Sequence, residues 1–124
     1  MAIILKTGEN YTTDDKVIHE VLYGVLEYIE GIDYKSEVCK YTINFYNHKT
    51  TWEESKTDPS IKPVDRKRLA CHGADFDTYL GFANLSAKGM TVRKALYQHA
   101  MATTGWNATY QSDGGLDITN VPAL

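Results

Sequence analysis

The chain has 124 residues, 43% of them hydrophobic and 23% charged, with a formal net charge of −3. That length predicts one domain that buries enough surface to fold without staples, and the proportions are those of a globular protein. The charge lacks the positive field a general nucleic-acid binder needs and is too small for a polyanionic mimic of DNA.

Residues 1–16 open on Met1-Ala2-Ile3-Ile4-Leu5-Lys6 and turn polar from Thr7 to Asp15. The apolar run is too short for a signal peptide and lacks a basic leader. No run approaches the roughly 20 apolar residues of a membrane span. The expectation is a soluble protein made in a cytoplasm. The opening reads as a short strand or an arm followed by a loop, and residues 1–16 are assigned to an N-terminal arm.

Residues 17–30 fit two periods. Val17, Ile18, Val21, Leu22, Val25, Leu26 and Ile29 make a helical stripe, yet Val17, Val21, Val25 and Ile29 share one face of a strand. Gly24 would cost a helix interior about 1 kcal/mol. The turn-rich connector Glu30 to Ser36 favours a long strand, because it leads into a second strand as a hairpin requires. That second strand, Val38 to Tyr46, is the firmest element. Lys40, Thr42 and Asn44 alternate with Cys39, Tyr41, Ile43 and Phe45, one set for each face.

His48 to Ser55 predicts a single helical turn. Thr57 to Val64, with Pro59 and Pro63, is a loop. Lys67 to Gly73 is a short strand, and Ala74 to Ala83 a short helix or strand. Thr91 to Thr104 is the clearest helix, with a stripe of Val92, Leu96, Ala100 and Thr103, Thr91 as N-cap and Gly105 beyond its end. Residues 107–124 have no period and read as a C-terminal arm, leaving 17–106 as the domain. The fold class expected is α+β: an antiparallel sheet or small β-sandwich built on a long hairpin, with one C-terminal helix and terminal arms.

Chemistry has few candidates. Cys71-His72 followed by Asp75 and Asp77 is the nearest approach to a site. Thiolate, imidazole and carboxylate are metal ligands, but no paired spacing supports a centre. Adjacent residues of a strand face opposite ways, so Cys71 and His72 cannot pair as nucleophile and base. That leaves His19, His48 or His99 as partners with nothing to select one. The plain reading is a strand end, a glycine turn and an acidic helix start. Cys39 reads as a small buried hydrophobe, able to meet Cys71 in a disulfide only if their strands are neighbours. Arg66, Lys67 and Arg68 form a basic cluster beside Asp65, read as a solvated surface. No phosphate loop or dinucleotide fingerprint is present. Nine tyrosines supply more amphipathic area than a small core needs, which suits protein–protein contact.

The order of parts resembles small virion proteins of tailed bacteriophages, found in tail, neck or capsid-associated positions. The resemblance is carried by the hairpin Val17–Ile29 to Val38–Tyr46, the polar turn with Trp52 and Glu53, the proline loop, Phe76-Asp77-Thr78-Tyr79, and the helix with Arg93-Lys94-Ala95-Leu96-Tyr97. It implies a non-enzymatic structural subunit of a phage particle, assembled in a bacterial cytoplasm with copies of itself and other virion proteins. It implies no cofactor, metal, membrane or sequence-specific nucleic acid. Trp52, Tyr110, Val121 and Leu124 are the expected interface residues. Two other readings stand beside it: a small phage or mobile-element protein that inhibits a host defence enzyme, and a small enzyme centred on Cys71, His72, Asp75 or Asp77.

Overall fold

In the computed structural model, which describes residues 2–112, the hairpin is the framework. Its first strand, β4, spans Tyr23–Asp33 and its second, β5, spans Val38–Tyr46. The turn between them is fixed by Asp33, whose Oδ1 accepts from the backbone N–H of Lys35 and of Ser36 at 3.0 Å each. A carboxylate that bonds its own chain two and three residues on is a common turn initiator. Strand formation wins over helix here, as expected, because β4 and β5 pair along their whole length.

Two β-bulges interrupt that pairing, one between Leu26 and Tyr28 and one between Ile29 and Gly31. Each sets two residues of β4 against one of β5. Leu26, Ile29 and Ile32, three apart in sequence, consequently oppose Ile43, Tyr41 and Cys39 on a single face. Of the apparent helical stripe over 17–30, only the step from Leu26 to Ile29 comes from a bulge, and Val17 to Leu22 precede the strand.

The remaining strands are β1 (Ile3–Leu5), β6 (Asp65–His72) and β7 (Tyr110–Ser112), giving an antiparallel sheet of order β6-β5-β4-β1-β7. For the opening the short-strand reading holds in place of the arm, and the C-terminal arm is corrected only up to Ser112, since residues 113–124 lie outside the described residues. Ile3–Leu5 lies inside the sheet between β4 and β7, and Tyr110–Ser112 forms its edge. Three apolar residues are a weak signal, yet Ile3 and Leu5 alternate onto the buried face and hold the strand there. The hairpin's first strand also starts at Tyr23 rather than Val17. Ile18–His19 (β3) instead pairs with Tyr11–Thr12 (β2) in a separate ladder, so the architecture is one sheet with a small appendage and not a sandwich.

Helices cover one face. They are α2 (Ala74–Leu80), α3 (Phe82–Leu85) and α4 (Val92–Thr103), more than the single late helix expected. Helix α4 follows its sequence closely. The Thr91 hydroxyl accepts from the Lys94 N–H at 3.1 Å, and Gly105 takes the left-handed conformation just beyond the end. Residues Ala95 to Met101 are all buried between the sheet and α2. The opposite face is covered only at one end, where α1 (Lys49–Ser55) sets Trp52 against Tyr23.

Two details tie sheet to helix. A Cβ on Gly24 would lie 2.7 Å from Phe45 and 2.9 Å from Ile3, so the strand needs glycine where β1, β4 and β5 pack closest. Just beyond the end of β1, the Leu26 N–H has no strand to meet and donates instead to the Tyr97 hydroxyl of α4 at 2.6 Å. Gly24→Ala should lower the unfolding free energy by about 1–3 kcal/mol through overpacking. Tyr97→Phe should cost about 1–3 kcal/mol by stranding a buried donor. Urea denaturation checks both, and wild-type midpoints would contradict these contacts.

Candidate functional site

The Cys71-His72 step falls where the sequence placed it. Cys71 is buried and His72 exposed, on opposite faces of β6. Gly73 turns the chain with positive φ, and Asp75 and Asp77 sit in the first turn of α2. Among the described residues, no three metal-binding side chains converge.

What the fold gathers around Cys71 is a buried polar cluster. Cys39 and Cys71 face each other across β5 and β6 in register, both fully buried and both free thiols. Next to Cys39 along β5, on the same core face, stands Tyr41, whose hydroxyl lies 2.6 Å from Nδ1 of His99 on α4. His99 Nε2 lies 3.6 Å from the Asp75 carboxylate. The Tyr79 ring meets the imidazole edge-on, with centroids 5.3 Å apart. A proton on Nε2 faces Asp75 and leaves Nδ1 to accept from Tyr41, the tautomer that satisfies both contacts. His99, which the sequence analysis placed beside a helix stripe, enters the cluster through Tyr41 and Asp75. Tyr41 was read only as a core residue.

The order carboxylate–imidazole–hydroxyl is that of a nucleophile with its base. Burial favours the neutral forms of the hydroxyl, the imidazole and the neighbouring thiol. Burial pushes the Tyr41 hydroxyl far above the range of an ordinary phenol. Burial, with Asp75 and Cys39 adding, pushes the Cys71 thiol up to about 12. Burial also lowers His99 below an ordinary imidazole, against the opposing pull of Asp75. Tyr41 is 1% exposed, so a substrate has no path to its oxygen. In this arrangement the cluster ties α4 and α2 to the sheet through satisfied buried groups.

The expected interface residues divide differently. Trp52 is half-buried, with Lys56 Nζ 4.0 Å above its ring, so it acts chiefly as a lid on Tyr23. Tyr110 is a correction: it is 1% exposed and packs against Phe45 and Trp106, because β7 carries it onto the core face. Val121 and Leu124 lie outside the described residues. Large exposed apolar side chains lie elsewhere: Val17 (47% exposed), Ile18 (65%) and Val21 (54%) close together in the chain, and Tyr28, Tyr34 and Phe82 apart from them in sequence. Val21 also borders an open groove of about 530 Å³ lined by Ile4, Leu5, Leu22 and Tyr23. Sequence reasoning missed this patch because it counted the three residues into the hairpin.

Titration of His99 supplies a test of the cluster. A free imidazole titrates near about 6.5, and the folded value is lower, so the unfolded chain takes up the proton first. Stability is then full above that pH and falls as pH drops through it. His72 adds to the lowering and Asp75 opposes it. Melts taken from about pH 7.5 to about pH 5.5 should show a decline that is shallower in His99→Gln. Both cysteines should react with a thiol reagent only after denaturation. An imidazole titrating above the free value, or rapid native-state thiol labelling, would contradict the cluster as described. No protein-family model, curated protein or solved structure matches this chain.

Proposed function

We propose that this chain is a non-enzymatic structural subunit of a tailed-bacteriophage particle, held in place by contacts with neighbouring protein chains. The observation that carries the assembly role is the exposed patch of Val17, Ile18 and Val21 and the apolar groove beside it. Large apolar side chains grouped on a surface gain most when another chain covers them. The buried Tyr41–His99 pair supports the same reading, since burial favours the neutral form of both groups. The placement in a virion is drawn from the resemblance of element order, with the hairpin, polar turn, proline loop and late helix all present in the fold.

Quantitative mass spectrometry of purified particles tests the role. The chain should appear at a fixed ratio to a major structural protein. Ile18→Asp combined with Val21→Asp changes only exposed side chains, so the variant should fold normally and fail to incorporate. Absence of the wild type from particles, together with a stoichiometric complex with one host enzyme, would replace this reading with that of a defence inhibitor.

A further inference from the structure

We infer that copies of this chain pair head to tail through their sheet edges, the β6 edge of one copy lying along the distal half of β4 in the next. This rests on the assembly reading above and specifies one of its contacts.

Both edges are open. Among the described residues β6 pairs only with β5, and β1 meets β4 only at Tyr23 and Gly24. From Glu27 to Asp33 the outer side of β4 therefore has no strand beside it. Unpaired backbone donors and acceptors along an edge are a template for another strand.

The two edges carry opposite charge. The distal part of β4 presents Glu27 and Glu30, both exposed, with Asp33 occupied by its turn. The β6 edge presents Arg66 and Arg68, both exposed, with Lys67 between them on the other face, 3.6 Å from Asp65. Arg66 Nε also donates to Asn44 Oδ1 at 2.9 Å, and Glu27 bonds the Tyr46 hydroxyl, so Glu30 and Arg68 are the pair without such a contact inside the described chain. Glu30 and Arg68 form no ion pair within the described chain. Pairing β4 with β4, or β6 with β6, would set like charges opposite each other, which is destabilising. Pairing β4 with β6 sets unlike charges together.

Direction and spacing agree with that choice. Strands β4 and β6 are both antiparallel to β5, so they run the same way. A second copy displaced along the sheet therefore brings its β6 parallel to β4, with the open faces on one side. The bulges set the spacing. Glu27 with Tyr28 opposes Thr42, and Glu30 with Gly31 opposes Lys40, so these glutamates sit two ladder positions apart. Arg66 and Arg68 are also two positions apart and occupy the same open face, opposite Asn44 and Thr42. Glu27 then meets the neighbour's Arg66, and Glu30 its Arg68. Bulges and edge charges normally discourage indiscriminate pairing. Opposite signs on two edges make the same features selective. A contact between two different surfaces repeats, closing into a ring or extending as a fibre.

Sedimentation velocity of the full chain tests this with two double variants, Glu27→Arg/Glu30→Arg and Arg66→Glu/Arg68→Glu. The wild type should self-associate with rising concentration. Raising ionic strength from about 0.01 M to about 1 M, which shortens the screening length from about 30 Å to about 3 Å, should weaken that association. Each variant alone has two edges of one sign and should remain monomeric. Their equimolar mixture should associate again, because each variant's β4 then finds a complementary β6. Circular dichroism confirms folding. If either double variant is unfolded, Glu30→Arg and Arg68→Glu serve instead, since neither residue forms an ion pair among the described residues. A wild type that stays monomeric throughout overturns the pairing, as do variants that associate like the wild type. The latter result leaves the assembly reading standing on the Val17–Val21 surface, whereas loss of the chain from particles would remove that reading independently.

Discussion

The constraint on which the rest depends is the doubly bulged strand β4. Its two bulges keep Leu26, Ile29 and Ile32 on the helix-covered face while the chain advances three residues at a time. Without them, a strict alternation of two would turn one of these side chains toward solvent and one acid toward the core. Bulges also bend a strand and increase its twist. The bent half of β4 runs past the end of β1, where the Tyr97 hydroxyl takes over the Leu26 N–H. The core, the open edge and the projecting hairpin are consequences of one local irregularity.

The sequence made some of this legible and hid the rest for definable reasons. Strand β5 alternates cleanly and pairs on both sides, so its period of two is plain in Val38 to Tyr46. Helix α4 carries a cap, a stripe and a terminal glycine, and all three hold. The acidic start of α2 after Gly73 was equally readable. Strand β4 was ambiguous because its Val25, Leu26 and Ile29 continue the spacing of Val17, Ile18, Val21 and Leu22, which precede the strand. Strands β1 and β7 were taken for arms because each is three residues long, and such short strands are defined by their neighbours. The cluster at Cys71 could be read only in part. Cys71 and Asp75 stand out in sequence, but Tyr41 and His99, 58 residues apart, come together only through the packing of α4 on the sheet.

That cluster shows how a set of residue types associated with catalysis can serve packing. Desolvation favours the neutral form of each group, raising the thiol and phenol and lowering the imidazole. Exposed acids stand on distal β4 and exposed Arg66 and Arg68 on β6, with Lys40 of β5 between them. Under the proposed assembly role, charged edges would supply register and partner choice, and the exposed apolar side chains Val17, Ile18 and Val21 would supply affinity.

Hydrogen–deuterium exchange of the β4 amides from Glu27 to Asp33, followed as protein concentration rises, tests the central claim most directly. An edge that accepts a strand from a neighbouring copy predicts progressive protection of these amides and of β6, with β5 unchanged because it is already paired on both sides. Exchange at both edges that is fast and independent of concentration would contradict it.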